Sequence, residues 1–127
     1  MKILVVEDEA YIRHILKYNL ELDGHSVLLA ENGEEALEQM QEKPDLVLLD
    51  IMMPVLNGLE TCAKLKSNPK TKDIPVFMLT AKSQINDIEE AFRVGADDYL
   101  TKPFDPDTLS ERINSKLENF RKSKLDE

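Results

Sequence analysis

The sequence predicts an α/β domain in which five parallel strands form a single doubly wound sheet with helices on both faces. Three observations carry that expectation. Residues 3–6 (ILVV), 46–49 (LVLL) and 76–79 (VFML) are apolar without a break, as strands buried on both faces must be. The segments between them change to a helical period. Strand and helix signals alternate along the whole chain, and right-handed crossovers turn that alternation into a parallel sheet covered on both sides.

The first strand, residues 3–6, is followed by a helix with Ile12, Ile15, Leu16 and Leu20 on one face, closed by Gly24. Ser26–Ala30 (SVLLA) is more mixed and reads as an edge strand. A second helix presents Ala36, Leu37 and Met40, with Asn32 as its cap and Pro44 as its end. After the strand at 46–49, Pro54 and the Asn57-Gly58 pair make a turn into a third helix carrying Leu59, Cys62 and Leu65. Pro75 introduces the strand at 76–79, and Ile85, Ile88, Ala91 and Phe92 form a fourth stripe. The mixed run 97–101 (DDYLT) is the fifth strand, followed by a helix with Leu109, Ile113, Leu117 and Phe120. The domain is drawn at residues 1–121, with the charged run 122–127 as a tail, either a frayed helix end or the start of a linker.

Composition narrows the function. With 127 residues the chain accommodates one domain of ordinary size, and no fused output module is expected within it. Sixteen basic against 25 acidic side chains give a charge of -9, which repels nucleic-acid phosphates and argues against direct DNA or RNA binding. No apolar stretch approaches a bilayer span or a secretion signal, so no membrane association is expected. One cysteine, Cys62, leaves no intrachain bridge and suits a reducing cytoplasm.

In a sheet of this kind ligands bind beyond the carboxyl ends of the strands. The residues there are Glu7, Asp8 and Glu9 after the first strand, Asp50 after the third, Thr80 after the fourth, and Thr101 and Lys102 after the fifth. Acids at a helix start also serve as caps and dipole partners. Asp50 is harder to explain that way, because it stands between LVLL and Ile51-Met52-Met53-Pro54, where a carboxylate needs a partner. Two carboxylates about 5 Å apart at an effective dielectric near 20 repel by roughly 3 kcal/mol, so a counterion is required. Lys102 neutralises one charge, and the remaining hard oxygens suit Mg²⁺ together with phosphate. An aspartate in such a setting is a nucleophile for phosphorus, with ammonium and metal stabilising the transferring oxygens.

ILVVEDE at 3–9, LVLLDIMMPVLNG at 46–58, MLTA at 78–81 and GADDYLTKPF at 95–104, in that order, resemble the receiver domain of bacterial two-component response regulators over residues 2–121. The resemblance implies a flavodoxin-like sheet of order 2-1-3-4-5, an order taken from the family. It implies Asp50 as phosphoacceptor, Asp8 as direct Mg²⁺ ligand, Glu7 acting mainly through water, and the main-chain carbonyl of Met52 as a further ligand, with Mn²⁺ as a substitute metal. Thr80 and Lys102 correspond to the groups that contact phosphoryl oxygens, beside the Ala81 amide. Thr80 and Tyr99 correspond to the conformational switch, and the Lys102-Pro103 bond to one that is cis. Glu7 stands where aspartate is more frequent, as does Asn57, whose place before Gly58 in a turn is a sufficient account.

The implied partners are a sensor histidine kinase or phosphotransfer protein, and a downstream protein reached through the face of the fourth helix, fifth strand and fifth helix. The resemblance also implies that Met52 and Lys82 stand beside the hydrolytic water. Asp98 and Arg112 resemble a pair that bridges receiver dimers, while Ile88 and Arg93 depart from the accompanying charge pattern, leaving a phosphorylation-dependent homodimer open. His14 and His25 read as solvated, and Cys62, Met40, Met53 and Met78 as packing. The main rival is a Mg²⁺-dependent aspartyl-phosphate hydrolase, which needs an acid two residues after its nucleophile, where this chain has Met52. A flavodoxin-like electron carrier lacks its Ser/Thr/Gly-rich phosphate cradle here, and a non-phosphorylated scaffold does not explain the retained acids, Thr80 and Lys102.

Overall fold

The computed structural model describes residues 1–53, 55–81 and 85–126. Its elements are β1 (Lys2–Val6), α1 (Ala10–Leu22), β2 (Ser26–Ala30), α2 (Gly33–Gln39) with a short 3-10 turn at Met40–Glu42, β3 (Leu46–Asp50), α3 (Gly58–Ser67), β4 (Val76–Ala81), α4 (Ile85–Arg93), β5 (Asp98–Lys102) and α5 (Leu109–Leu125). The five strands pair in parallel in the order β2-β1-β3-β4-β5. Pro54, Lys82 and the side chain of Ile85, which the sequence assigns to a turn, to the phosphoryl neighbourhood and to a helical stripe, lie outside the described residues.

The unbroken apolar runs follow from a sheet with two cores. Successive strand residues point to opposite faces. Leu4, Val6, Val47, Leu49, Val76 and Met78 join Ala36, Cys62, Leu65 and Ala91 under α2, α3 and α4. Ile3, Val5, Leu46, Leu48, Phe77, Leu79 and Leu100 join Leu16, Leu20, Leu109, Ile113 and Leu117 under α1 and α5. Met40, Met53, Met78 and Cys62 are buried packing residues, as the sequence implies. Burial pushes the Cys62 thiol up to about 11.

Boundaries differ from the sequence expectation in three informative places. Ladder pairing continues past the apolar runs, with Asp50 opposite Leu79, Thr80 opposite Thr101 and Ala81 opposite Lys102. Asp50, Thr80, Thr101 and Lys102 therefore sit on the last residues of strands and inherit the rigidity of the sheet. Asp97, expected inside the fifth strand, precedes it, because its carboxylate accepts from the Val76 amide at 2.9 Å and pairs with the Lys66 ammonium at 2.6 Å. Helix α5 continues past position 121 to Leu125, so the charged run is largely helical.

The turn into α3 is built on two residues. Asn57 caps the helix by accepting from the Glu60 amide at 2.9 Å, a more specific role than a turn residue. A Cβ on Gly58 would collide with the Asp50 carbonyl oxygen, so only glycine lets α3 start this close to the end of β3. Phe92 is 46 % exposed and lies on the margin of the α4 stripe, where its ring meets Tyr99 edge-on at 6.3 Å. The Lys102-Pro103 bond is cis. Among the described residues no helix is long and apolar enough to cross a membrane.

Candidate functional site

The carboxyl ends of β1, β3 and β5 bring Glu7, Asp50 and Lys102 to one point. Glu7 follows β1 directly, its amide tied to the Ala30 carbonyl at 3.1 Å, and its side chain is fully buried. Asp50 closes β3 and is 4 % exposed. The Lys102 ammonium donates to both Glu7 oxygens, at 3.0 and 3.1 Å, and stands 3.4 Å from Asp50 Oδ1. Asp8, at the head of α1, is exposed and completes the group: one oxygen from each of Glu7, Asp8 and Asp50 lies within 4.8 Å of the others.

Electrostatics follow from that packing. Burial, and then the neighbouring Glu7 charge, push the Asp50 carboxyl up to about 8 against the opposing pull of Lys102. Burial works against the Lys102 ammonium, but Asp50 and Glu7 outweigh it and hold the group above its ordinary value. Two buried acids thus share one ammonium, and the cluster still carries excess negative charge that opens toward Asp8. Three clustered carboxylates with hard oxygens, one of them exposed to solvent, fit a Mg²⁺-type ion that retains waters.

The other expected residues fall around this centre. Thr80 is fully buried at the end of β4, one residue beyond the partner of Asp50, and its hydroxyl donates to the Ala81 carbonyl at 3.1 Å. Met52 lies in the turn after β3 and is 58 % exposed. Tyr99 is apart from the acidic cluster, on the outer strand, with its ring against Phe92 and the Lys116 ammonium 5.2 Å from the ring centroid. Asp98 pairs with Lys116 at 3.0 Å within the same chain. His14 is exposed, whereas the ring of His25, half-buried, meets the amino terminus at 3.2 Å, so its reading as solvated holds only in part. Beside Lys102, a cleft of about 300 Å³ is lined by Tyr11, Ile12, Ile15, Pro103 and Phe104.

Arg13 was not singled out by the sequence. It is 7 % exposed, on the inward stripe of α1 with Leu16 and Leu20. Its Nη1 donates to the Glu7 carbonyl at 2.8 Å and the Asp8 carbonyl at 3.3 Å, and its Nη2 meets Glu31 Oε1 at 3.3 Å. The signal was available: counting back from Leu20 and Leu16 at helical spacing reaches position 13.

The profile of the response regulator receiver domain matches residues 3–114. The alkaline phosphatase synthesis transcriptional regulatory protein PhoP of Bacillus subtilis is 46% identical over 117 residues, covering 91% of this chain and 48% of that protein. The chain thus spans about half the length of the curated relatives it matches. Among solved structures, a putative response regulator from Chloroflexus aurantiacus has a TM-score of 0.85 at 36% identity, covering 92% of this chain and 97% of that one. The chemotaxis protein CheY4 of Vibrio cholerae has a TM-score of 0.84 at 33% identity, covering 90% and 96%.

Proposed function

Because the chain belongs to the response regulator receiver domain family, we propose that its chemistry is the capture of a phosphoryl group on Asp50 from a histidine kinase or phosphotransfer protein. The observation that carries this reading is the shared ammonium: Lys102 stands between buried Glu7 and buried Asp50 at 3.0 and 3.4 Å, with Asp8 open to solvent beside them. An Asp50 carboxylate oxygen attacks phosphorus as the P–N bond of a phosphohistidine donor breaks. The electron pair leaves with the imidazole nitrogen, which takes up a proton, and an acyl phosphate remains on Asp50.

The rigid strand end holds Asp50 in place for in-line attack. Lys102 then moves its donors from Glu7 toward the new phosphoryl oxygens, and the Thr80 hydroxyl exchanges the Ala81 carbonyl for a phosphoryl acceptor. Asp8, Asp50 and the Met52 carbonyl, with Glu7 mainly through water, would hold Mg²⁺ or Mn²⁺, whose positive charge would favour ionised Asp50 and offset charge on the transferring group. Withdrawal of Thr80 toward phosphate makes room for the Tyr99 ring to leave Phe92 and Lys116, which reshapes the α4, β5 and α5 face for a downstream protein. The apolar cleft beside Lys102 receives the phosphodonor protein.

The relatives are named as transcriptional regulators and are about twice this length. A charge of -9 over these residues argues against their touching DNA directly. The reactions are the domain's own phosphorylation and dephosphorylation, in the cytoplasm. The hydrolase alternative is disfavoured by Met52, which offers no proton where an acid is needed. Incubation with Mg²⁺ and acetyl phosphate or a phosphorylated kinase, beside Asp50→Ala, tests the reading: one phosphoryl group on the wild type and none on the variant supports it, and equal labelling of both overturns it.

A further inference from the structure

Resting on that reading, we infer that Arg13 is a positioning residue for the metal-binding acids, acting through the backbone of the segment that carries them. Glu7 and Asp8 leave the sheet at the junction of β1 and α1, where no backbone amide of the described residues is bonded to their carbonyls. The Arg13 guanidinium supplies that constraint. Its Nη1 takes both carbonyls, at 2.8 and 3.3 Å, while the Arg13 amide closes the first turn of α1 on the Glu9 carbonyl at 3.0 Å. With both carbonyl oxygens turned onto the arginine, the peptide planes of this junction are fixed while the Glu7, Asp8 and Asp50 carboxylates cluster within 4.8 Å. A planar cation with several donors satisfies two carbonyls and an acid at once, which no neutral side chain of similar size does.

Burial makes the arrangement costly to hold by chance. Among the described residues this charged group, 7 % exposed, has one carboxylate partner, Glu31, whose side chain is 63% exposed. An ion pair whose acid stands mostly in solvent is screened and contributes little. The two carbonyls are therefore the principal reason for a guanidinium on this inward stripe, and Arg13 connects the acidic segment to the body of α1. Groups that orient ligands in this way typically change metal affinity by about 10- to 100-fold when removed.

The sign of the effect separates positioning from charge. Removing a cation near three carboxylates strengthens the pull on Mg²⁺ if Arg13 acts only through its charge. If it holds the acids in register, removal weakens binding. The experiment is a Mg²⁺ titration, by calorimetry at a temperature where every variant is folded, of wild type, Arg13→Gln, Glu31→Gln and Leu117→Ala, with unfolding measured in parallel. Leu117 is buried on α5 in the core, so its truncation destabilises without touching the site.

Arg13→Gln is expected to bind Mg²⁺ about 10-fold more weakly, with Glu31→Gln and Leu117→Ala within about twofold of wild type. Unchanged or tighter binding in Arg13→Gln overturns the inference. So does an equal loss in Glu31→Gln, which would assign the effect to the ion pair, or in Leu117→Ala, which would assign it to stability. Labelling of wild type at Asp50 by acetyl phosphate, measured on the same samples, keeps the two readings distinct: its failure removes the phosphoacceptor reading, and its success with unchanged affinity in Arg13→Gln removes only the role of Arg13.

Discussion

Replacing Asp50 by asparagine keeps the side-chain shape and removes a charge that the metal-free fold penalises. The Asp50 carboxyl is pushed up to about 8 from an ordinary value of 3.8, chiefly by burial and then by Glu7, so it is the ionised form that the fold penalises. Below pH 4 the carboxyl is neutral in both folded and unfolded chains, and the substitution changes little. As pH rises the unfolded chain ionises first, and the wild type loses stability relative to Asp50→Asn until the folded carboxyl also ionises near pH 8. Each pH unit in that window is worth about 1.4 kcal/mol, which gives a gap of about 4 kcal/mol at pH 7. For a domain of this size that is roughly 15 °C in midpoint. The assay is thermal unfolding by far-ultraviolet circular dichroism in EDTA from pH 4 to 9. Mg²⁺ should narrow the gap by binding the folded wild type. Equal stability of the two proteins at pH 7, or a gap that shrinks as pH rises, would refute the reasoning.

Three further predictions rest on other atoms. Gly58→Ala drives a methyl group into the Asp50 carbonyl, so urea unfolding should show a loss of about 2 kcal/mol or more together with slower acetyl phosphate labelling; a change within about 0.5 kcal/mol would contradict the close approach. The Met52 thioether gives no donor to orient a water, so Met52→Asn should speed phosphate release several-fold in a decay assay, and equal or slower decay would count against that role. Tyr99→Ala should leave phosphorylation intact while reducing phosphate-dependent binding to the downstream protein, and full binding would separate the ring from the switch.

Much of the fold was legible because a sheet with two cores leaves an unambiguous trace: adjacent residues such as Leu48 and Leu49 must both be apolar when each belongs to a different core. The limits of the elements were less legible where polar side chains take over backbone or charge pairing. Asp97 reads as part of a strand until its carboxylate is seen to hold the Val76 amide and Lys66. Phe92 reads as core and instead sits at the margin of α4 against Tyr99. The cluster at the sheet's end was legible as a set, since topology sends Glu7, Asp50 and Lys102 to one rim. Its internal division was not: nothing in the order Glu7-Asp8 says that the first is fully buried and takes the ammonium while the second faces solvent. Arg13 escaped because a charged residue interrupts the apolar stripe by which the helix face was recognised.

The central claim concerns a single side chain, and it is most directly tested by fixing the phosphoryl group where it lands. Wild-type protein labelled with acetyl phosphate and Mg²⁺ is reduced with borohydride, which converts an aspartyl phosphate to homoserine, and the modified position is mapped by peptide mass spectrometry. The account predicts homoserine at position 50, lost when the metal is chelated before labelling. Modification at another residue, with Asp50 recovered intact, would contradict it.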